Sequence, residues 1–352
     1  MFFLYTENIS HLFLDITELR NAFSSNWTAS IDNAEYIVFP VFYEVMFEYS
    51  EEEYAMNGFS KGLIEQTKKL FYDAIALARQ YQKPLVLFYY RDPVKPLPID
   101  YNNTIVFRTS LFKSTCSNKE LAMPAFIPDI IEQFKEVTYK EYLNNFILPK
   151  PNKPAVAFKG QSAPLQLSYK TELRLFANKF LPKIGRKELP VYYNRGYLAR
   201  RLALISIINN KKIESDVQIT AWNEQKQDAL LYKKRFLESM YQYPYQVCSA
   251  GFGNYSFRLY EIMASGRIPV FINTDCVLPF EHIIPWKKQM VWIEEDDAKK
   301  TGEIIADFHQ SVHPDDFKDL QMTNRKIYET YLTKKGFLQN LDKALAPLQV
   351  VK

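Results

Sequence analysis

The sequence predicts an α/β protein built in two domains, and three observations carry that prediction. Residues 245–280, YQVCSAGFGNYSFRLYEIMASGRIPVFINTDCVLPF, read as strand, glycine turn, helix, glycine stop and second strand. The 352 residues exceed the size at which one hydrophobic core keeps growing. A polar stretch, residues 147–154, carries Pro149, Pro151 and Pro154 and separates two sets of alternating strand and helix patterns.

In chain order, buried strands are expected at 2–5, 35–41, 84–89 and 104–108, with helical spacing at 16–22 and 62–81 between them. Beyond the proline stretch come a strand at 155–158, helices at 171–180 and 197–208, a strand at 217–222 and a helix at 229–241. The 245–280 segment follows, and helical patterns at 301–308, 314–331 and 336–345 finish the chain. The acid pairs Asp296-Asp297 and Asp315-Asp316 suit helix starts, where carboxylates complement the dipole.

The 245–280 segment has the order of a phosphate site. Gly251 and Gly253 occupy the turn after the strand, and Asn254 or Ser256 offers an N-cap. Leu259, Ile262 and Met263 recur at helical spacing, and Gly266 stands where a left-handed C-cap belongs. In a parallel sheet this helix mouth opens at the carboxyl edge of the strands, where its free N–H groups and dipole favour an anion. Arg258 in the first turn has a fork that grips a diphosphate at two points, and Glu261 three residues on can accept from sugar hydroxyls. The plainer reading of that pair is a surface ion contact at i,i+3, worth a few tenths of a kcal/mol. Ser256 serves equally as a cap or a phosphate contact.

These residues carry a resemblance. Ser256-Phe257-Arg258-Leu259-Tyr260-Glu261, then Ala264-Ser265-Gly266-Arg267-Ile268-Pro269-Val270, Leu278-Pro279-Phe280, Ile284-Pro285-Trp286 and Val291-Trp292-Ile293-Glu294 resemble the exostosin-like glycosyltransferases of family 47. Upstream, residues 34–40 look like that family's early strand, and Phe158-Lys159-Gly160 with Arg200 or Arg201 look like the start of its donor domain. The resemblance implies a GT-B fold, two Rossmann-like domains facing a cleft. Residues 1–150 would form the acceptor domain and 151–330 the nucleotide-sugar donor domain, with 331–352 packing back on the first. It places Gly160, Arg201, Gly251, Gly253, Asn254, Ser256, Arg258 and Glu261 around the donor. The turn Ala250-Gly251-Phe252-Gly253-Asn254 departs from the bulkier turn usual in the family, so donor identity is not carried over.

The implied reaction is an inverting transfer. An acceptor hydroxyl attacks the anomeric carbon of a nucleotide-diphosphate sugar as the diphosphate leaves from the opposite face. A base must take the hydroxyl proton. Glu44, just beyond the strand ending Phe39-Pro40-Val41, is the first candidate, and Asp92, after residues 85–89, the second. No metal and no cofactor are expected: the acid pairs lack Asp-x-Asp spacing, and the four histidines form no His-Glu-x-x-His. Cys116, Cys248 and Cys276 have no ligand spacing and an odd count, which points to reduced thiols.

Composition narrows the partners. With 44 basic and 40 acidic side chains the net charge of +4 is too small for a nucleic-acid binder, though it permits an anionic donor or a loose membrane contact. The opening MFFLYTENISHLFLDITELR has no basic leader and reads as a first strand, and no apolar run reaches the roughly twenty residues of a membrane span. The sequon Asn254-Tyr255-Ser256 lies inside the phosphate turn, where a glycan would obstruct the donor. Both features favour a cytoplasmic enzyme, at the inner face of the membrane, acting on a glycan or lipid-linked acceptor in surface polysaccharide synthesis. A nucleotide-sugar epimerase on the same fold and a non-catalytic nucleotide-sugar binding protein are the alternatives.

Overall fold

The fold is that of a computed structural model, which describes residues 2–4, 28–92, 95–130, 133, 147–178, 180–181, 186–187, 189, 193–220 and 229–349. The chain divides into two compact units. One comprises Met1–Phe126, Asp275–Ile284 and Glu329–Lys352, the other Ile127–Thr274 and Pro285–Tyr328. Among the described residues each contains one parallel sheet, so the α/β class expected from the alternating pattern is found, and two Rossmann-like units are what the GT-B resemblance implies.

In the first unit β1 (Phe2–Leu4), β2 (Tyr36–Phe42), β3 (Leu85–Tyr89), β4 (Thr104–Arg108) and β5 (Glu120–Ala122) pair in that order, all parallel. β2, β3 and β4 are buried along their whole length, which is why they read as unbroken hydrophobic runs. Pro40 cannot donate to a ladder, and the β2–β3 register shifts between Val38 and Phe42, on either side of it. Helix Lys61–Gln80 returns the chain to β3. The Ser60 hydroxyl accepts from Leu63 N–H at its start, and Ile64, Thr67, Phe71, Ala74, Ile75 and Ala78 form its buried stripe. Phe71 meets Phe39 edge-on, with ring centroids 5.4 Å apart. From helix Lys334–Gln339, Phe337 packs on Phe107 at 5.3 Å, Phe280 at 6.0 Å and Phe88 at 6.4 Å.

In the second unit the parallel strands run β10 (Val291–Glu294), β9 (Ile268–Asn273), β8 (Tyr245–Ser249), β6 (Ala155–Gly160) and β7 (Glu214–Ile219). From β6 the chain steps outward to β7, then returns to the other side of β6 for β8 and continues to β9 and β10. The strand order thus reverses between β6 and β8, the topological switch point of a doubly wound sheet. Val156, Phe158, Val247, Val270 and Ile293 of the sheet pack with Ala203, Leu204 and Ile207 of helix Arg195–Ile208 in the core.

Several boundaries differ from the sequence reading. The strand expected at 217–222 is β7, Glu214–Ile219, and the helix expected at 16–22 lies outside the described residues. The pattern at 336–345 divides at Asn340, whose side-chain amide bonds Thr330 O at 3.0 Å and Gly336 O at 2.8 Å. The proline-rich stretch lies within the second unit, where Gln321 accepts from Leu148 N–H at 3.0 Å and donates to Leu148 O at 2.8 Å.

Candidate functional site

The site grows from the turn after β8. Helix Phe257–Ala264 starts at Ser256, which is extended (φ −144°, ψ 123°) and whose hydroxyl makes no capping hydrogen bond. The helix stops in a Schellman motif: Arg267 N–H reaches Ile262 O at 2.9 Å and Gly266 N–H reaches Met263 O at 3.0 Å. Gly266 has φ 65°, the left-handed conformation its position requires. Leu259, Tyr260, Ile262, Met263 and Ala264 are buried, which fixes the helix against the sheet.

Arg258 leaves this helix toward the carboxyl end of β6. Its Nη2 donates to Lys159 O at 2.8 Å, its Nε donates to Glu261 at 3.0 Å, and its guanidinium carbon lies 4.2 Å from the Phe236 ring centroid. The third nitrogen, Nη1, is buried and has no hydrogen-bond partner among the described residues, an exception to the rule that buried donors are satisfied. Thus the ion pair of the plainer reading exists, but the same guanidinium also reaches the switch point with a donor in hand. Burial raises the Glu261 carboxyl above its usual range, with Arg258 pulling the other way.

A second guanidinium meets the sheet at the neighbouring strand end. Arg200, on helix Arg195–Ile208, donates from Nε to Ser249 Oγ at 2.9 Å, from Nη2 to Ser249 O at 3.1 Å and Ala250 O at 3.0 Å, and from Nη1 to Gln161 O. It lies between the rings of Phe158 and Tyr197, at 5.5 and 5.2 Å. Burial lowers its pKa to about 10, which leaves it charged at neutral pH. Two cations therefore sit side by side where β6 and β8 end.

The glycine turn is held from the same side. Gly251 N–H donates to Tyr255 O at 2.9 Å, and Asn194 donates to Gly251 O at 2.9 Å while its amide oxygen caps helix Arg195–Ile208 through Tyr197 N–H. Gly196 makes the closest approach: a Cβ there would lie 2.3 Å from Ala250 O. Because that obstacle is backbone, Gly196→Ala is expected to destabilise the protein by about 3 kcal/mol or more, measured as a lower urea midpoint at unchanged m-value. At Gly160 a Cβ would come within 3.7 Å of Arg258 Nη2, so a larger side chain would fill space beside that group.

The other residues singled out in the sequence are placed as follows. Gly253 and Asn254 are buried, and Asn254 Oδ1 accepts from the Thr274 hydroxyl at 2.7 Å, which ties the turn to the end of β9. Arg201 points away from the Arg200 cluster. Its Nε donates to Pro164 O at 2.8 Å and Leu165 O at 3.0 Å, and its Nη2 pairs with Glu172 at 2.9 Å, so it positions a loop and the following helix. Sequence reasoning chose Arg201 over Arg200 and passed over Gly196; the aromatic pair Phe158 and Tyr197 was the available signal for Arg200.

In the first unit, Glu44 sits in the first turn of helix Tyr43–Phe47, directly after β2. It is buried and accepts Tyr90 N–H at 3.1 Å. Burial raises its pKa to about 7, against the opposing pull of that hydrogen bond and of Arg91. Glu48, one turn on, accepts from the Tyr89 hydroxyl at 2.9 Å and pairs with Lys95 at 3.0 Å. Asp92 is exposed.

Residues 168–308 match the model of the Exostosin GT47 domain. Over 75 residues the chain is 35% identical to the probable glucuronosyltransferase GUT1 of Oryza sativa subsp. japonica, covering 21% of this chain and 18% of that protein. Over 71 residues it is 38% identical to the probable glucuronosyltransferase 47 A of Physcomitrium patens (20% of this chain, 16% of that one). It is 35% identical to the probable beta-1,4-xylosyltransferase IRX10 of Arabidopsis thaliana over 71 residues (20% and 17%). The matched stretch thus spans less than a fifth of each relative. A crystal structure of WaaG, a glycosyltransferase involved in lipopolysaccharide biosynthesis, aligns over 98% of both chains at 10% identity with a TM-score of 0.36, too weak a likeness to bear on the fold. With the motif, the switch-point cations and the matched domain together, the chain carries an exostosin-like domain of glycosyltransferase family 47 over residues 168–308.

Proposed function

We propose that the protein is a glycosyltransferase that moves a sugar from a nucleotide-diphosphate sugar to a glycan or lipid-linked acceptor, with inversion and without a metal. The observation that carries this reading is the buried Nη1 of Arg258, without a hydrogen-bond partner among the described residues and beside Arg200, at the reversal of strand order in the second unit. A diphosphate seated there receives that donor, the field of two guanidinium groups and the N–H groups at the mouth of helix Phe257–Ala264. Positive charge already fixed in place stabilises the leaving diphosphate as its own charge develops, which is the work a cation would otherwise do. Ser256 adds a hydroxyl at that mouth, and Glu261 orients Arg258 and accepts from the sugar. Glu44, with its pKa near the working pH, takes the acceptor proton. The protein is placed in the cytoplasm and in surface polysaccharide synthesis as part of the same proposal.

The names of the plant relatives put nucleotide-activated glucuronic acid and xylose at the head of the donors to try. A thermal-shift panel of nucleotide diphosphates and nucleotide sugars tests the reading. A donor at a hundred times its dissociation constant should stabilise the fold by about 2.7 kcal/mol, and incubation with it and oligosaccharide acceptors should lengthen the acceptor by one sugar. An epimerised donor in the absence of any acceptor, or tight binding with no turnover, would overturn the transferase reading.

A further inference from the structure

Helix Tyr169–Asn178 is mounted with its apolar side outward. Ordinary surface helices bury their hydrophobic stripe and leave the polar one in water. Here Tyr169, Leu173 and Phe176 are 78%, 49% and 63% exposed, and none of the ten helical residues is buried. Phe180, just past the helix end, is 51% exposed and extends the row with its ring 5.3 Å from that of Phe176. The positions 169, 173, 176 and 180 follow helical spacing, so the four side chains line one face about 16 Å long.

Polar contacts fix this orientation. Asn178 accepts from Leu189 N–H at 2.7 Å and donates to Leu189 O at 3.0 Å. Glu172 pairs with the buried Arg201, which is itself anchored on Pro164 O and Leu165 O. Thr171, Arg174, Leu175 and Asn178 are the half-buried side. Rotating the helix to hide its aromatic row would break these bonds.

What surrounds the row is basic. Lys170 on the helix and Arg186 and Lys187 beyond it are exposed, and the sequence Tyr169–Lys187 holds six Lys or Arg against one Glu. An aromatic and leucine ridge flanked by cations has the chemistry of the bilayer interface, where rings enter the headgroup layer and Lys or Arg meet anionic lipid. Among the described residues no helix is long and apolar enough to cross a membrane, so the contact lies on the surface. We propose that the Tyr169–Phe180 ridge docks the protein on an anionic phospholipid bilayer. This surface is separate from the donor site and stands whether or not the transferase reading holds.

Co-sedimentation of the full-length protein with phosphatidylglycerol–phosphatidylcholine vesicles, and with phosphatidylcholine vesicles alone, tests the assignment. The wild type should pellet with the anionic vesicles, weaken as salt is raised, and stay largely soluble with the neutral ones. The triple variant Leu173→Ser, Phe176→Ser, Phe180→Ser should lose about tenfold or more in partitioning, as should Lys170→Glu with Arg186→Glu and Lys187→Glu. Both variants alter exposed side chains and should keep the wild-type melting temperature and its shift with nucleotide. Absence of wild-type binding to the anionic vesicles overturns the proposal, as does full binding by the folded triple variant. So does a wild-type dimer that the triple variant abolishes while neither protein binds vesicles.

Discussion

Replacing Glu44 by glutamine is expected to slow glycosyl transfer by about a hundred- to ten-thousandfold while making the protein more stable above neutral pH. The two effects share one cause. Burial holds the Glu44 carboxyl at about 7 in the folded chain, against 4.5 for the free side chain. Between those values the folded protein keeps a proton that the unfolded chain releases, so stability falls as pH rises through the window. At about 1.4 kcal/mol per pH unit the loss amounts to roughly 3 kcal/mol and is complete above pH 7. Glutamine still offers an oxygen to Tyr90 N–H but never becomes charged. Calorimetry should therefore show the variant melting above the wild type at pH 8 and close to it at pH 5. A gap of equal size at both values would mean that the carboxyl is not held near 7. Wild-type kcat/KM should fall with unit slope as pH drops below about 7, because a base must be unprotonated to act.

Arg258→Ala is expected to weaken the nucleotide-sugar complex and to lower kcat/KM by about a hundred- to a thousandfold. It deletes a switch-point donor that is buried without a partner among the described residues, together with the links to Lys159 O and Glu261. Arg258→Lys restores the charge but cannot bridge Lys159 O and Glu261 while also presenting a third nitrogen, so it should fall between alanine and wild type. Calorimetric titration with nucleoside diphosphate separates binding from turnover. Unchanged affinity in a folded Arg258→Ala protein would remove the diphosphate from this helix mouth.

Much of the second unit was legible because its signals are local. A strand, two glycines, an apolar helical row and Gly266 at its left-handed stop all lie within residues 245–280, and the fold realises them in order. The choice between Arg200 and Arg201 was not legible. Adjacent helical residues point about 100° apart, and only the placement of helix Arg195–Ile208 on the sheet decides which one meets Ser249 and Ala250. The three-residue β5 and the short helices Tyr43–Phe47 and Glu51–Met56 escaped for a related reason: each is too brief to show a period, and neighbours stabilise it. Glu44 and Asp92 both stand after strands, yet burial beside Tyr90 distinguishes one from the other, and burial is a property of the folded molecule.

The first unit is assembled from three stretches of chain, the last beginning at Glu329, and Phe337 from that stretch sits against Phe88, Phe107 and Phe280. On the ribosome, the region synthesised first must therefore wait for the stretch from Glu329 before its aromatic core can close, whereas the second unit has all its residues once Tyr328 emerges. A nascent chain stalled before residue 329 should expose those rings to chaperones and proteases, so early termination there would leave the first unit without the piece that closes its core.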